Sequence, residues 1–304
     1  MKTVISTVAA FVLLSAVPAL AAPAPAQPAA TTFHVGKLSL VSLSDATFTL
    51  PNDGKVFGGD AGPAAVSDVL KAANVPTDTI TLNIDALLVR DGSRLVLIDT
   101  GFGPKVGGAL QASLKLAGVA PDQITDVLVT HPHGDHIGGL LTADGKPAFP
   151  KAKVRMSSAD WTYLQSQSGM ADMTKAIAPQ VVAFEPGANV TPSITAVAIP
   201  GHTPGHVGYQ IASGHEHLLD IGDMAHSSIV SLAKPNWTMG FDSDAAAART
   251  SRRETLTELA KDHEMVFAPH FPYPGVGTVA ASGDGFVWQP ADLTAKPGKK
   301  KHKH

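Results

Sequence analysis

Apolar and β-branched residues gather along the chain in short runs that read as strands: Phe33 to Leu43, Ile84 to Val89, Leu95 to Ile98, Ile124 to Val129, Ile194 to Ile199, Leu218 to Ile221 and Met265 to Ala268. The polar turn Arg90-Asp91-Gly92-Ser93 joins the second run to the third. Segments of helical composition alternate with these runs: Val106 to Leu116, Ala159 to Gln167 and Asp244 to Asp262. Asp242 or Asp244 is placed to cap the last of them. Gly275 to Trp288 reads as a closing hairpin around Ser282-Gly283-Asp284-Gly285, and no internal repeat is evident.

Four of the runs end in the same way, in a turn followed by a residue that can bind a metal. After Ile124 to Val129 comes Thr130-His131-Pro132-His133-Gly134-Asp135-His136-Ile137-Gly138-Gly139, three histidines and one aspartate within six positions. His131 and His133, two apart in an extended or turning segment, can face one ion. Asp135 and His136 point elsewhere and can face a second. Two ions need further ligands, and the rim beyond the strand ends is where open α/β sheets collect them. His202, Asp223 and His270 each follow an apolar run and a turn. Neutral imidazole and carboxylate suit zinc, and also manganese, cobalt or iron.

His131-Pro132-His133-Gly134-Asp135-His136, Gly201-His202-Thr203-Pro204-Gly205-His206, Gly222-Asp223 and His270 together resemble the metallo-β-lactamase superfamily, over a span from about Phe33 to Trp288. Leu43-Ser44-Asp45, Leu95 to Gly101 and Phe271 to Gly277 are similar to the branch that holds methyl parathion hydrolases and N-acyl homoserine lactonases. The resemblance implies an α/β fold, a four-layer αβ/βα sandwich of two mixed sheets flanked by helices. It implies two divalent ions, zinc first, with His131, His133 and His202 on one, Asp135, His136 and His270 on the other, and Asp223 between them. The expected activity is that of a dinuclear metal-dependent hydrolase using a metal-bridging hydroxide on a lactone, ester or phosphotriester, with acyl-homoserine lactones as first choice. A β-lactam hydrolase of the same fold and an iron-dependent oxidoreductase are the alternatives. Relatives of this kind also imply a homodimer.

Further roles follow the same resemblance. Besides Asp223, Asp135 is a candidate for taking up a proton during turnover. His226 stands where many lactonases of this fold place a tyrosine against the substrate carbonyl, so it is expected either to donate a hydrogen bond or to line the pocket. Asp99, in Ile98-Asp99-Thr100-Gly101, is placed to fix the orientation of a ligand histidine, or to stabilise its own turn. His206 reads as a supporting residue. Phe102 and Trp161 resemble substrate-facing aromatics, and Trp237, Phe241, Phe271 and Tyr273 could join them.

Composition narrows the partners. A chain of 304 residues with 44% hydrophobic content can build a large core, and ligands spread from 131 to 270 require most of it to fold as one domain, expected over 33–290. A net charge of −3 gives no sign of nucleic acid or an anionic membrane as partner, and the small-molecule substrate is what the resemblance implies. Met1-Lys2, the apolar stretch Val8 to Val17 and Ala19-Leu20-Ala21 have the form of a secretory signal over 1–21, too short for a stable membrane anchor and directing the chain to the periplasm or outside the cell. Residues 22–32 read as a flexible lead and 291–304 as a disordered basic tail. The chain has no cysteine, which suits an exported protein with no disulfides and excludes the β-lactamase types that use a cysteine ligand.

Overall fold

A computed structural model of the chain describes residues 24–25 and 27–293; the expected signal segment over 1–21 and the tail from 294 onward lie outside the described residues. The strands form two sheets, one of eight and one of seven. The N-terminal sheet starts antiparallel, through Ala30–Val35, Leu38–Pro51, Thr79–Asp91 and Arg94–Ile98. It continues parallel through Asp126–Leu128, Lys153–Ser157 and Val181–Phe184. The change follows the connections. Tight turns join the outer antiparallel pairs, Ala30–Val35 with Leu38–Pro51 and Thr79–Asp91 with Arg94–Ile98, while the middle pair is joined by a longer connection holding helix Pro63–Ala72. The parallel neighbours need crossovers, here carrying the helices Leu110–Leu116, Ser158–Ser166 and Ala171–Ile177.

The second sheet runs from Asn189–Thr191 to Gly285–Pro290 and has a single parallel pair, Glu216–Asp220 beside Met265–Phe267. The crossover between those two strands contains the longest helix of the described residues, Ala245–Asp262. Asp244 caps it, its carboxylate accepting from the backbone N–H groups of Ala246 and Ala247.

Strand Thr79–Asp91 shows why the sequence gives these layers. Ala86 and Leu88 pack toward Leu110, Leu114, Leu164 and Ile177 of the helices. Leu87 and Val89, pointing the other way, meet Tyr209, Ile211 and Phe267 of the second sheet. Both faces are buried, so the run is apolar throughout instead of alternating. A third cluster seals the outer face of the second sheet against Leu256 and Leu259 of the long helix. The order helix, sheet, sheet, helix is the αβ/βα sandwich. A fourth cluster joins helix Pro63–Ala72, through Val66 and Leu70, to Phe48, Leu82, Val230 and Met239, with Phe102, Ile229, Trp237 and Phe241 packed at its edge.

Several boundaries differ from the sequence expectation. The run Phe33 to Leu43 is two strands folded about Gly36, whose φ of 56° and close approach to Ser213 leave no space for a Cβ. The expected helix from Val106 begins only at Leu110, because Gly107 adopts a left-handed conformation after a single 3₁₀ turn, Pro104–Val106. Two stretches of the expected flexible lead lie in the sheet, with residues 27–29 outside any strand. Ala24–Pro25 pairs with Ala46 and Thr47, the next strand begins at Ala30, and the Ala29 N–H donates to Ser113 Oγ at 3.1 Å. Thr31 and Thr32 suit an edge strand, which composition alone hides behind alanine and proline. At the other end Ala291 and Leu293 pack on the inter-sheet core, so order reaches past the expected boundary at 290. Among the described residues no helix is long and apolar enough to cross a membrane.

Candidate metal centre

Strand ends from both sheets converge on one rim. After Asp126–Leu128 the chain bends at Thr130 and is extended at His133 (φ −77°, ψ 156°), which brings the His131 and His133 rings together; one helical turn, Gly134–Ile137, then redirects Asp135 and His136. Gly138 and Gly139 let this turn pack backbone to backbone on the loop after Arg94–Ile98. A Cβ on either would lie 2.1 Å from a carbonyl oxygen, of Phe102 or of Thr100. The Thr100 N–H closes the contact by donating to His136 O at 2.7 Å.

From the second sheet, His202 follows Ile194–Ala198 in a turn that Asp160 secures, accepting from Thr203 Oγ1 and from the Gly205 N–H, both at 2.8 Å. Asp223 follows Gly222, which is left-handed (φ 48°), and its N–H donates to His206 Nε2 at 2.9 Å. His206 Nδ1 in turn donates to Ile199 O. A Cβ on Gly222 would come within 2.7 Å of that Nε2. Gly222→Ala is therefore expected to cost roughly 1–3 kcal/mol of stability, read as a lower denaturant midpoint at unchanged slope. His270 follows Met265–Phe267, and its Nδ1 donates to Asn83 O at 2.7 Å.

Seven side chains meet as two groups of donors. His131, His133, His202 and Asp223 form one; Asp135, His136 and His270 form the other. In the first, His131 Nε2 lies 3.0 Å from His133 Nδ1 and 3.2 Å from His202 Nε2. Asp223 reaches both groups. Its Oδ2 is 3.2 Å from His202 Nε2 and 3.5 Å from His131 Nε2; its Oδ1 is 2.8 Å from His270 Nε2 and 3.1 Å from His136 Nε2. Asp135 Oδ2 completes the second group, 3.6 Å from His136 Nε2 and 3.7 Å from His270 Nε2.

Proton positions explain what such packing requires. Asp99 Oδ2 lies 2.7 Å from His136 Nδ1 and Asn83 O takes the Nδ1 proton of His270, so in both rings the Nε2 facing the group carries a bare lone pair. Thr130 Oγ1 donates to Asp99 and accepts from His131 Nδ1, which leaves His131 Nε2 bare as well. Accordingly His136 Nε2, His270 Nε2 and Asp223 Oδ1 are buried without a hydrogen-bond partner. Lone pairs gathered in this way repel one another unless a cation lies among them. A tetrahedral zinc holds donors at roughly 2.0–2.1 Å and therefore about 3.3 Å from each other, the spacing of these groups. The donor set fits two divalent ions.

The electrostatics point the same way. Burial pushes the His202 imidazole down, but Asp223 and Asp242 overcome it and raise its pKa to about 9. Burial and the neighbouring His202 lower His133 to about 4. Against the cost of burial, His136 and His270 hold the Asp223 carboxyl well below the usual range. Crowded imidazoles around one carboxylate cannot all be protonated together, and a cation that displaces protons resolves the conflict.

Other expected residues take definite places. Asp99, itself left-handed at φ 59°, sits against His136 as described. His226 is buried with no hydrogen bond on either ring nitrogen; its Nε2 is 3.1 Å from Asp223 Oδ2 and its ring stacks on His270 at 5.5 Å. Phe241 lies 5.5 Å from His226, and Phe102 packs edge-on to Phe48 in the same apolar cluster as Trp237. Trp161 instead packs on the helix-side core, because it shares a helix face with buried Leu164. Phe271 is buried against Trp288, and the Tyr273 hydroxyl bonds Thr31 and Ser42, so neither joins Phe102. His34, His215, His217 and His263 are exposed.

Three contributors have no site role in the sequence reading. Asp45 accepts from the N–H groups of Phe102 and Leu110, both at 2.8 Å, and so shapes the loop that presents Phe102. Asp242 does not cap the long helix but lies 3.1 Å from His202 Nδ1, and buried Arg252 holds its other oxygen at 2.8 Å. The available signal is the helix stripe Ala248, Arg252, Leu256 and Leu259, in which an arginine occupies a core position.

Known structures share this arrangement of strands. AidC, a dizinc quorum-quenching lactonase solved with the product N-hexanoyl-L-homoserine, superposes with a TM-score of 0.82 at 28% identity, over 87% of this chain and 98% of AidC. AbOPH, a hydrolase in the beta lactamase superfamily, gives 0.80 at 26% identity, over 88% of this chain and 98% of its own. Among curated sequences, the uncharacterized protein YobT of Bacillus subtilis is 29% identical over 136 residues, 41% of this chain; the chain spans 56% of YobT's length. Residues 79–270, which carry all seven clustered side chains, match the family model, and the chain belongs to the metallo-beta-lactamase superfamily.

Proposed function

We propose that this protein is a dinuclear metal-dependent hydrolase that opens lactones, with N-acyl homoserine lactones as the substrate class. The observation that carries the reading is the division of Asp223, one oxygen toward His131 and His202 and the other toward His136 and His270. In this reading His131, His133 and His202 hold one ion, Asp135, His136 and His270 the other, and Asp223 both. Two divalent ions held by these residues would supply Lewis acidity to the acyl oxygen and a water of lowered pKa as nucleophile. No serine or cysteine nucleophile is needed.

The remaining residues act on the substrate and its protons. The His226 ring lies beside Asp223 with neither nitrogen in a hydrogen bond, and its N–H donates to the acyl oxygen. Asp135 takes up the proton released on attack and delivers it to the leaving alkoxide. Phe102, Ile229, Trp237 and Phe241 offer an apolar wall for an acyl chain, a surface that suits a neutral lipid-like ester. The likeness to a dizinc lactonase at 28% identity supports the choice of lactone, and Asp223 in place of a cysteine counts against a β-lactam.

The test combines metal content with a substrate panel on the purified protein: a long-chain acyl-homoserine lactone, methyl parathion, an aryl ester and a cephalosporin. About two metals per chain and a kcat/KM for the lactone at least tenfold above the others is the expected result. One iron per chain, or none of the four cleaved, overturns it in favour of redox chemistry or metal binding alone.

A further inference from the structure

Arg252 and Asp242 are both buried, and no role above uses them. The Arg252 guanidinium spends its donors on four acceptors: Nε on Met224 O at 2.7 Å, Nη1 on Pro235 O at 3.1 Å and Trp237 O at 3.3 Å, and Nη2 on Asp242 Oδ2 at 2.8 Å. Met224 adjoins Asp223, and residues 235–241 carry the aromatic wall. Asp242 Oδ1 faces His202 Nδ1 at 3.1 Å. A buried ion pair is a poor way to fill a helix stripe, since well-packed apolar side chains of similar volume are often as stable or more so. Its geometry instead matches a task at the metal centre.

The comparison with Asp99 sharpens that task. Each group of donors has one histidine backed by a carboxylate: His136 by Asp99, and His202 by Asp242. Asp99 otherwise accepts only from neutral donors, the Thr130 N–H at 2.9 Å and hydroxyl at 2.7 Å, whereas Asp242 is matched by a full positive charge.

We propose that the Arg252–Asp242 pair is the positioning device of the His131/His133/His202 half of the centre: Asp242 fixes His202 with Nε2 toward the donor group, and Arg252 fixes Asp242 while tying that half to the loops of Asp223 and Trp237. Metal loading of this half is then controlled separately from the half backed by Asp99. The inference rests on the dinuclear reading proposed above.

Zinc binding to the full chain, measured by competition with a chromogenic chelator, tests it without any substrate. Asp242→Asn keeps the shape but not the charge and is expected to weaken one of two zinc affinities by roughly 10–100-fold while leaving the other within about twofold. Asp99→Asn is expected to weaken chiefly the opposite one, since Asp99 meets His136 directly and reaches His131 only through the Thr130 hydroxyl. Visible spectra of the cobalt-loaded variants identify which ion each retains, against His133→Ala and His270→Ala as markers of the two halves. Arg252→Lys, which keeps the charge and loses the fork, is expected to weaken the same ion as Asp242→Asn, and circular dichroism checks that both variants are folded. Equal loss of both ions in the folded variants, or no loss of either, overturns the inference and leaves the dinuclear reading intact. A parent protein that binds a single ion overturns both.

Discussion

Asp223→Ala is expected to lower turnover by about 10³-fold or more while the chain stays folded, because among the described residues no other carboxylate turns one oxygen to each donor group. Its two oxygens reach His202 and His131 on one side and His270 and His136 on the other. Without it each group keeps three donors, enough to retain an ion weakly, but the anion shared between them is gone. Two ions acting together supply several kcal/mol of stabilisation to charge developing in the transition state, and about 4 kcal/mol corresponds to roughly 10³ in rate. Steady-state kinetics beside circular dichroism at matched zinc content would check it. Turnover within tenfold of the parent, in a folded variant, would remove the two-ion mechanism.

Stripping the metals is expected to have the largest effect on stability. A ligand present at a thousand times its dissociation constant adds about 4 kcal/mol to a folded protein that binds it. For a chain of this size 1 kcal/mol moves the melting temperature by roughly 1.5–2 °C, so loss of one such ion lowers it by about 6–8 °C. The structure gives the reason. Bare nitrogens of His131, His136 and His270 and the carboxylate of Asp223 are buried face to face, an arrangement stable only with a cation or with added protons. Protons compete for the same atoms, so the metal-dependent part of the stability shrinks as pH falls. Calorimetry with chelator, then with zinc restored, reads the effect directly; a melting temperature indifferent to both would contradict the donor geometry.

Much of this site can be read in the sequence because its residues announce themselves locally. His131 to His136 lie within six positions, and His202, Asp223 and His270 each end an apolar run. The runs are legible where both faces are buried, as in Ala86 to Val89, since burial on two sides removes the polar alternation. Helix Pro63–Ala72 escapes notice because it buries only Val66 and Leu70 and has no side-chain cap. Asp242 and Arg252 escape for a different reason. An acid just before a helix reads as its cap, and only the tertiary fold shows that Asp244 takes that place and frees Asp242 for His202. Trp161, which resembles a substrate-facing aromatic in the sequence, packs partly buried on the helix-side core, a placement set by its helix face and not legible in the motif.

Each donor group draws on both sheets: His131 and His133 with His202 and Asp223, Asp135 and His136 with His270. Neither half of the chain can assemble an ion site alone, and the partners stand 71 positions apart in one case and well over a hundred in the other. Contacts so distant in sequence carry a loop-closure entropy cost, and each donor group is complete only where the two sheets meet. The ions thus arrive as witnesses to completed folding, and a chain that has bound both has already passed the step at which its two halves could go astray.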